Sequence, residues 1–159
     1  MALERTLVLV KPDAIQRNLL GEIISRFERK GLKIIGLKMM ELGDTLIEEH
    51  YHTHKEKSFF PELKKYMQSA PVVAMVLEGH KAIGATRLIV GPTKGYDADA
   101  GSIRGDLSVS GQTNIVHASD SPETAREEVR RFFKEEDLIS YTKVDELFLT
   151  ASDERHKSE

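Results

Sequence analysis

The alternation of short apolar runs with helix-period segments constrains this chain more than any other feature. Thr6 to Val10 is a compact β-type run, and "LLGEIISRFERKG" after it places Leu20, Ile23, Ile24 and Phe27 at helical spacing ahead of Gly31, a C-terminal cap. "LKIIGLKMMEL" is apolar on both faces, as in a covered central strand, and Thr45 with Glu48 makes a capping box for a helix to about Lys55. Pro61 opens a short helix that Ser69-Ala70-Pro71 breaks, and "VVAMVLEG" reads as a buried strand. His80 to Val90 carries Ala82, Ile83, Thr86, Leu88 and Ile89 in a helical pattern. "TNIVH" is the last strand; the helix after it takes Ser121 as N-cap and Pro122 at its first position, and buries Ala125, Val129, Phe132 and Phe133.

Strand, helix, strand, helical insertion, strand, helix, strand, helix is the order of an α/β (α+β) ferredoxin-like split βαβ sandwich. It predicts a four-stranded antiparallel sheet with helices packed on one face, a helical insertion and a long loop. The loop, Gly91 to Gln112, has no clear periodicity, which in a compact domain marks a functional segment. A chain of 159 residues is the size of one domain, 1–159, with a frayed polar tail after Thr150.

Without cysteine there is no disulfide framework, thiolate zinc site or cysteine nucleophile. A net charge of -3 and a pI near 6.1 give no overall positive field for nucleic acid or an anionic membrane, so an anionic ligand has to be held by a few placed cations. The amino end is too short in apolar residues for a secretory segment, and the longest apolar run, Ala70 to Leu77, cannot span a bilayer. The expectation is a soluble cytoplasmic protein.

His117 stands where the last strand meets the last helix. From this window alone it is either a strand-end residue bonded to a carbonyl or a reactive group. The first N–H groups of a helix lack backbone partners, so a phosphate could sit there, and the positive end of the dipole disfavours an imidazolium and leaves the ring nucleophilic. Lys11, presented at a strand end by Pro12, is either solvated or turned to such a phosphate.

"KPDAIQRNLLGEII", "HYHTHKEKSFFPELKKYM", "PVVAMVLEG", "IRGD" and "NIVHASDS", in order from about Thr6 to Phe133, resemble a nucleoside diphosphate kinase. That resemblance implies ping-pong transfer of a γ-phosphate through a phosphohistidine, with His117 as the nucleophile, phosphorylated at its pros nitrogen. It further implies Lys11, Arg87, Thr93 and Arg104 on the phosphates and Asn114 on the sugar. Glu128 holds the other imidazole nitrogen with Ser119 bonded to it, Tyr51 flanks the nucleophile, and His54 lies near the phosphates, three residues on along one helix. Phe59 stacks on the base, backed by Leu63, and a stacking pocket accepts purines and pyrimidines alike. The cofactor it implies is Mg²⁺, carried by the nucleoside di- and triphosphates and water with no dedicated protein metal site. His50, His52, His80 and His156 are read as structural or surface residues.

The chain departs from the family where Thr93 is followed by Lys94-Gly95-Tyr96 rather than Asn-Pro, where Ala100 precedes Gly101, in "SGQTN", and at Ala118. Lost prolines predict a looser loop. The resemblance implies a homo-oligomer, a hexamer rather than a tetramer. Two other readings of the scaffold are a catalytically silent nucleotide-binding regulator and an RNA-binding domain; for the latter, an aromatic RNP1 strand and a basic face are missing.

Overall fold

The protein is described by a computed structural model over residues 3–154. The end of the expected polar tail, 155–159 with His156, lies outside the described residues, as do residues 1 and 2. Strands β1 (Leu3–Val10), β2 (Lys33–Met40), β3 (Val72–His80) and β4 (Val116–Ala118) form one antiparallel sheet in the order β2-β3-β1-β4. Helices α1 (Pro12–Gln16) and α2 (Leu20–Arg29) follow β1, α3 (Asp44–His50) and α4 (Phe60–Met67) make the insertion, and α5 (Ala82–Val90) follows β3. Helix α6 (Ile103–Leu107) lies in the long loop, α7 (Pro122–Phe132) follows β4, and α8 (Glu146–Leu149) lies near the end. This is the expected ferredoxin-like order.

The sheet is covered on both faces, not one. Val8, Val10, Met75 and Leu77 meet Ile23 and Phe27 of α2 and Ala82 and Val90 of α5. Leu7, Leu9, Ala74 and Val76 meet Ile47 of α3, Leu63 and Met67 of α4, and Val129 and Phe132 of α7. Two buried faces explain why β1 and β3 read as continuous apolar runs, and each fully buried aliphatic side chain contributes about 2 kcal/mol.

β2 is the exception. Its sequence suggested a covered central strand, yet it lies at the sheet edge with Leu37 53% and Met39 59% exposed. Its inner half is covered by the end of the chain: Ile139 N–H donates to Ile35 O at 2.8 Å, and a side chain at Gly36 would meet Leu138 and Phe133 within about 3 Å. A strand can be apolar on both sides because neighbours outside the sheet claim it.

Local signals worked where the capping chemistry is short-range. α2 ends with Gly31 at φ 92°, where Gly31 N–H bonds Glu28 O and Leu32 N–H bonds Phe27 O. Ser121 caps α7, its Oγ accepting from Thr124 N–H at 3.1 Å. The Thr45–Glu48 box does not form: α3 starts after Gly43 with no side-chain cap and stops at His50, and the 3₁₀ turn His52–His54 follows. Pro61 is the second residue of α4, not the first.

The long loop is structured. It holds the 3₁₀ turn Gly95–Asp97 and α6, whose N-cap Ser102 accepts from Gly105 N–H at 3.0 Å. A Cβ at Gly105 would lie 1.9 Å from Asp99 O, so this backbone approach admits only glycine. At Gly95, one of the positions without the expected proline, the N–H donates to Ser110 O at 2.9 Å, a bond a proline could not make. β4 begins at Val116, so Asn114 and Ile115 precede the strand rather than open it.

Candidate active site

His117 sits in the middle of β4, paired with Leu9 of β1, its side chain 24% exposed. Its Nε2 lies 2.9 Å from Glu128 Oε2, and Ser119 Oγ donates to the same oxygen at 2.7 Å while accepting from Leu7 N–H at 3.2 Å. Burial pushes the Glu128 carboxyl up, but the hydrogen bonds from His117 and Ser119 outweigh it and hold Glu128 below its ordinary range. An ionised carboxylate only accepts, so Nε2 carries the ring proton and Nδ1 keeps the lone pair. α7 therefore engages the imidazole through a side chain in its second turn. The helix-start anion site expected from the sequence is partly used up, since Ser121 takes the Thr124 N–H.

His50, read as structural or surface from the sequence, lies beside His117. Its ring meets that of His117 edge-on with centroids 4.8 Å apart, its Nδ1 is 3.9 Å from Glu128 Oε1, and Arg131 Nη1 donates to that Nδ1 at 3.3 Å. Burial, then the neighbouring His117, pushes His50 down to about 3, so it stays neutral. Only its place on the last turn of α3, facing α7, reveals this, and no sequence spacing encodes that. His50, His117 and Glu128 could offer three ligand atoms within 4.8 Å. Two imidazoles and an already bonded carboxylate do not suit Mg²⁺, which takes oxygen ligands.

The cations converge around β4. Lys11, at the N-cap of α1, is buried, and its Nζ donates to Asn114 Oδ1 at 2.6 Å. Asn114 Nδ2 donates to Thr93 O at 2.8 Å and Gly111 O at 3.2 Å, so Thr93 enters this network through its carbonyl while its side chain stays exposed. Arg104 is buried and spends three donors on the carbonyls of Gly91, Val116 and Asn114 at 3.0, 2.6 and 3.3 Å. It knits the loop to β4, and these bonds take three of the five N–H groups of its fork. Arg87 Nη1 donates to Ala118 O at 3.5 Å. Burial and the neighbouring Arg87 push Arg104 down to about 10, and burial with the neighbouring Arg104 pushes Lys11 down to about 8.

A chain of rings leads outward from His50. Tyr51 follows at 4.7 Å, His54 stacks on Tyr51 at 6.3 Å, and Phe59 lies 5.4 Å from His54. Tyr51 and His54 do face each other, across the junction of α3 and a 3₁₀ turn rather than along one helix. Burial and Glu128 push the Tyr51 phenol up, so it remains a donor, and its hydroxyl is unpartnered among the described residues. Phe59 is 45% exposed, whereas Leu63, on α4, is buried in the core.

Over residues 4–138 the sequence matches the profile of the nucleoside diphosphate kinase family. The chain belongs to that family. The nucleoside diphosphate kinase of Staphylothermus marinus is 54% identical over 89% of this chain and 100% of its own length. The structure of the Halobacterium salinarum enzyme, solved in complex with CDP, superposes with a TM-score of 0.91 at 38% identity over 94% of this chain and 100% of that one. That of Aquifex aeolicus gives 0.83 at 42% identity over 87% and 100%. The chain is thus an enzyme, a phosphotransferase with nucleoside diphosphate kinase function, and the silent-regulator reading has no support. No helix among the described residues is long and apolar enough to cross a membrane.

Proposed function

We propose that His117 Nδ1 takes the γ-phosphoryl group of a nucleoside triphosphate and passes it to a nucleoside diphosphate. The lone pair of Nδ1 forms the P–N bond as the bond from phosphorus to the β-phosphate oxygen breaks, and the diphosphate leaves with that electron pair. The proton on Nε2 stays in its bond to Glu128, whose negative charge balances the charge that develops on the ring. In the second half a β-phosphate oxygen of the incoming diphosphate attacks the phosphorus, the P–N bond breaks, and the neutral ring returns. The single observation that carries this reading is the His117–Glu128–Ser119 chain, which leaves Nδ1 as the free nitrogen.

Lys11, Arg87 and Arg104 offset the phosphate charge, with Thr93 beside them and Asn114 offering its remaining oxygen lone pair to the sugar. Phosphoryl transfer needs little beyond a positioned nucleophile and such charge stabilisation. Phe59 stacks on the base above Leu63, Tyr51 donates toward the transferring group and His54 lies toward the phosphates. Mg²⁺ arrives on the substrate phosphates, since the oxygen donor nearest His117 is already held. The CDP complex of the Halobacterium salinarum relative supports nucleotide as the ligand class. The assembly is a cytoplasmic homo-hexamer rather than a tetramer; exposed Leu37 and Met39 on the edge strand and Leu88 on α5 favour self-association.

The test is His117→Ala. The expected outcome is loss of transfer with ADP binding and fold retained, because a ring that is about a quarter exposed and outside both apolar clusters can be lost with the core intact. Residual turnover at the wild-type rate overturns the assignment.

A further inference from the structure

Between the cation network and the nucleophile the backbone makes an unusual turn. Ile115 has φ 61°, a conformation that a β-branched residue adopts only under constraint. Val116 N–H donates across it to Asn114 O at 2.7 Å, making a three-residue turn of the rare, strained positive-φ kind. Asn114, the first residue of the turn, holds Lys11; His117, directly after it, carries the reacting nitrogen. The angle of this one residue therefore sets how Asn114, with Lys11 on it, lies relative to His117. Strain of this kind costs on the order of 1–3 kcal/mol and persists only where the surroundings over-determine it.

The surroundings are identifiable. Lys11 N–H donates to Ile115 O at 2.9 Å, and the Ile115 side chain is fully buried. Asp13 Oδ2, in the first turn of α1, accepts Ile115 N–H at 3.1 Å, and its other oxygen, Oδ1, accepts the hydroxyl of Tyr66. Tyr66 lies in α4, the helix that starts after Phe59 and carries Leu63. Its ring also lies 6.0 Å from Lys11 Nζ. Neither Asp13 nor Tyr66 is bonded to His117 among the described residues, although the Asp13 charge favours the charged form of Lys11.

We propose that Asp13 and Tyr66 are positioning residues that hold the strained Ile115 turn and thereby couple α4, the helix of the base-stacking pocket, to the alignment of His117 with the phosphates. This rests on the phosphohistidine reading above. Nucleotide stacked on Phe59 at the start of α4 presses on the same helix that anchors the turn. A base seated in the pocket and a nucleophile in register are then parts of one rigid arrangement. Misalignment of a near-attack geometry by a fraction of an ångström slows transfer without weakening binding.

Tyr66→Phe removes the hydroxyl and keeps the ring, its packing and its place near Lys11. The assay is single-turnover labelling of His117 by saturating γ-labelled ATP with Mg²⁺, alongside ADP affinity by calorimetry and the thermal midpoint. The expected result is a labelling rate on the order of tenfold slower, with ADP affinity within about twofold of wild type. Asp13→Asn, which cannot accept at both oxygens, should slow labelling at least as much. The double variant should be no slower than Asp13→Asn alone, because the two act as one unit. Tyr66→Phe labelling at the wild-type rate overturns the inference, as does parallel loss of rate and affinity, which would make the pair a general structural prop. Should Asp13→Asn fail to fold, Tyr66→Phe decides alone. Absence of label in the wild type would instead overturn the phosphohistidine reading itself and remove the step that the pair is said to align.

Discussion

Lys11 gives the site an alkaline limit that can be worked from the structure. Its ammonium is buried, and burial foremost, then the neighbouring Arg104, lowers it from 10.5 to about 8, with Asp13 opposing. Free enzyme at pH 9 would then keep Lys11 charged in only about a tenth of molecules. Since kcat/KM reports free-enzyme ionisations, it should fall about tenfold per pH unit above roughly pH 8. Bound phosphates favour the charged amine, so the limb in kcat should lie higher. Stability moves the opposite way. The unfolded chain holds the Lys11 proton to about 10.5 and the folded chain only to about 8, so between them the unfolded state binds more protons and stability rises with pH. The interval is worth about 3 kcal/mol at most. Activity falling while the denaturation midpoint rises separates this titration from alkaline unfolding. The assay is kcat/KM at subsaturating MgATP from pH 6 to 10, in wild type and in Lys11→Arg. The arginine variant should be slower, because its fork does not fit the bond to Asn114, but it should lose the alkaline limb. A wild-type profile flat to pH 10, or an unchanged limb in Lys11→Arg, would refute the reasoning.

Glu128→Gln keeps the shape but removes the charge that balances the phosphorylated ring, and should slow transfer on the order of a hundredfold with nucleotide affinity little changed, measured by single-turnover labelling. Phe59→Ala should raise KM for every nucleotide by a similar factor, about tenfold for roughly 1.4 kcal/mol of stacking; a loss confined to one base in steady-state assays with four diphosphates would count against base-indifferent stacking. Ser121→Ala should cost about 1 kcal/mol of stability by urea denaturation, the worth of an N-cap, with the Glu128 contact in the second turn of α7 preserved.

The order of strands and most helices was legible because each leaves a local trace. Two-sided apolar runs mark β1 and β3, and cap residues mark the ends of α2 and the start of α7. What was not legible depends on partners distant in sequence. β2 shows the pattern of a central strand because residues 133–139 cover part of it, and no window of sequence carries that information. The Thr45–Glu48 box fails because Gly43 takes the cap position and the Asp44 carboxylate turns to Gln68 and Lys64. α6 is too short to display a period.

In the candidate site, Glu128 and Ser119 meet at His117, and Lys11 is bonded to Asn114. Leu63 proves to be core, and Thr93 contributes a carbonyl to the network rather than a hydroxyl. From the sequence His50 reads only as structural or surface, and Asp13 and Tyr66 are given no role. Each acts through a tertiary contact, with His117 for the first and with the Ile115 turn for the others.

The central claim is that the phosphoryl group pauses on His117 Nδ1. It is tested most directly by mixing the protein with Mg²⁺ and γ-labelled ATP, removing free nucleotide, mapping the label by ³¹P NMR and peptide analysis, and then adding GDP. Acid-labile label at Nδ1 of His117, chased quantitatively into GTP, is the predicted result. Label at Nε2 would contradict the role given to Glu128, and nucleotide bound without any label would contradict the phosphohistidine mechanism altogether.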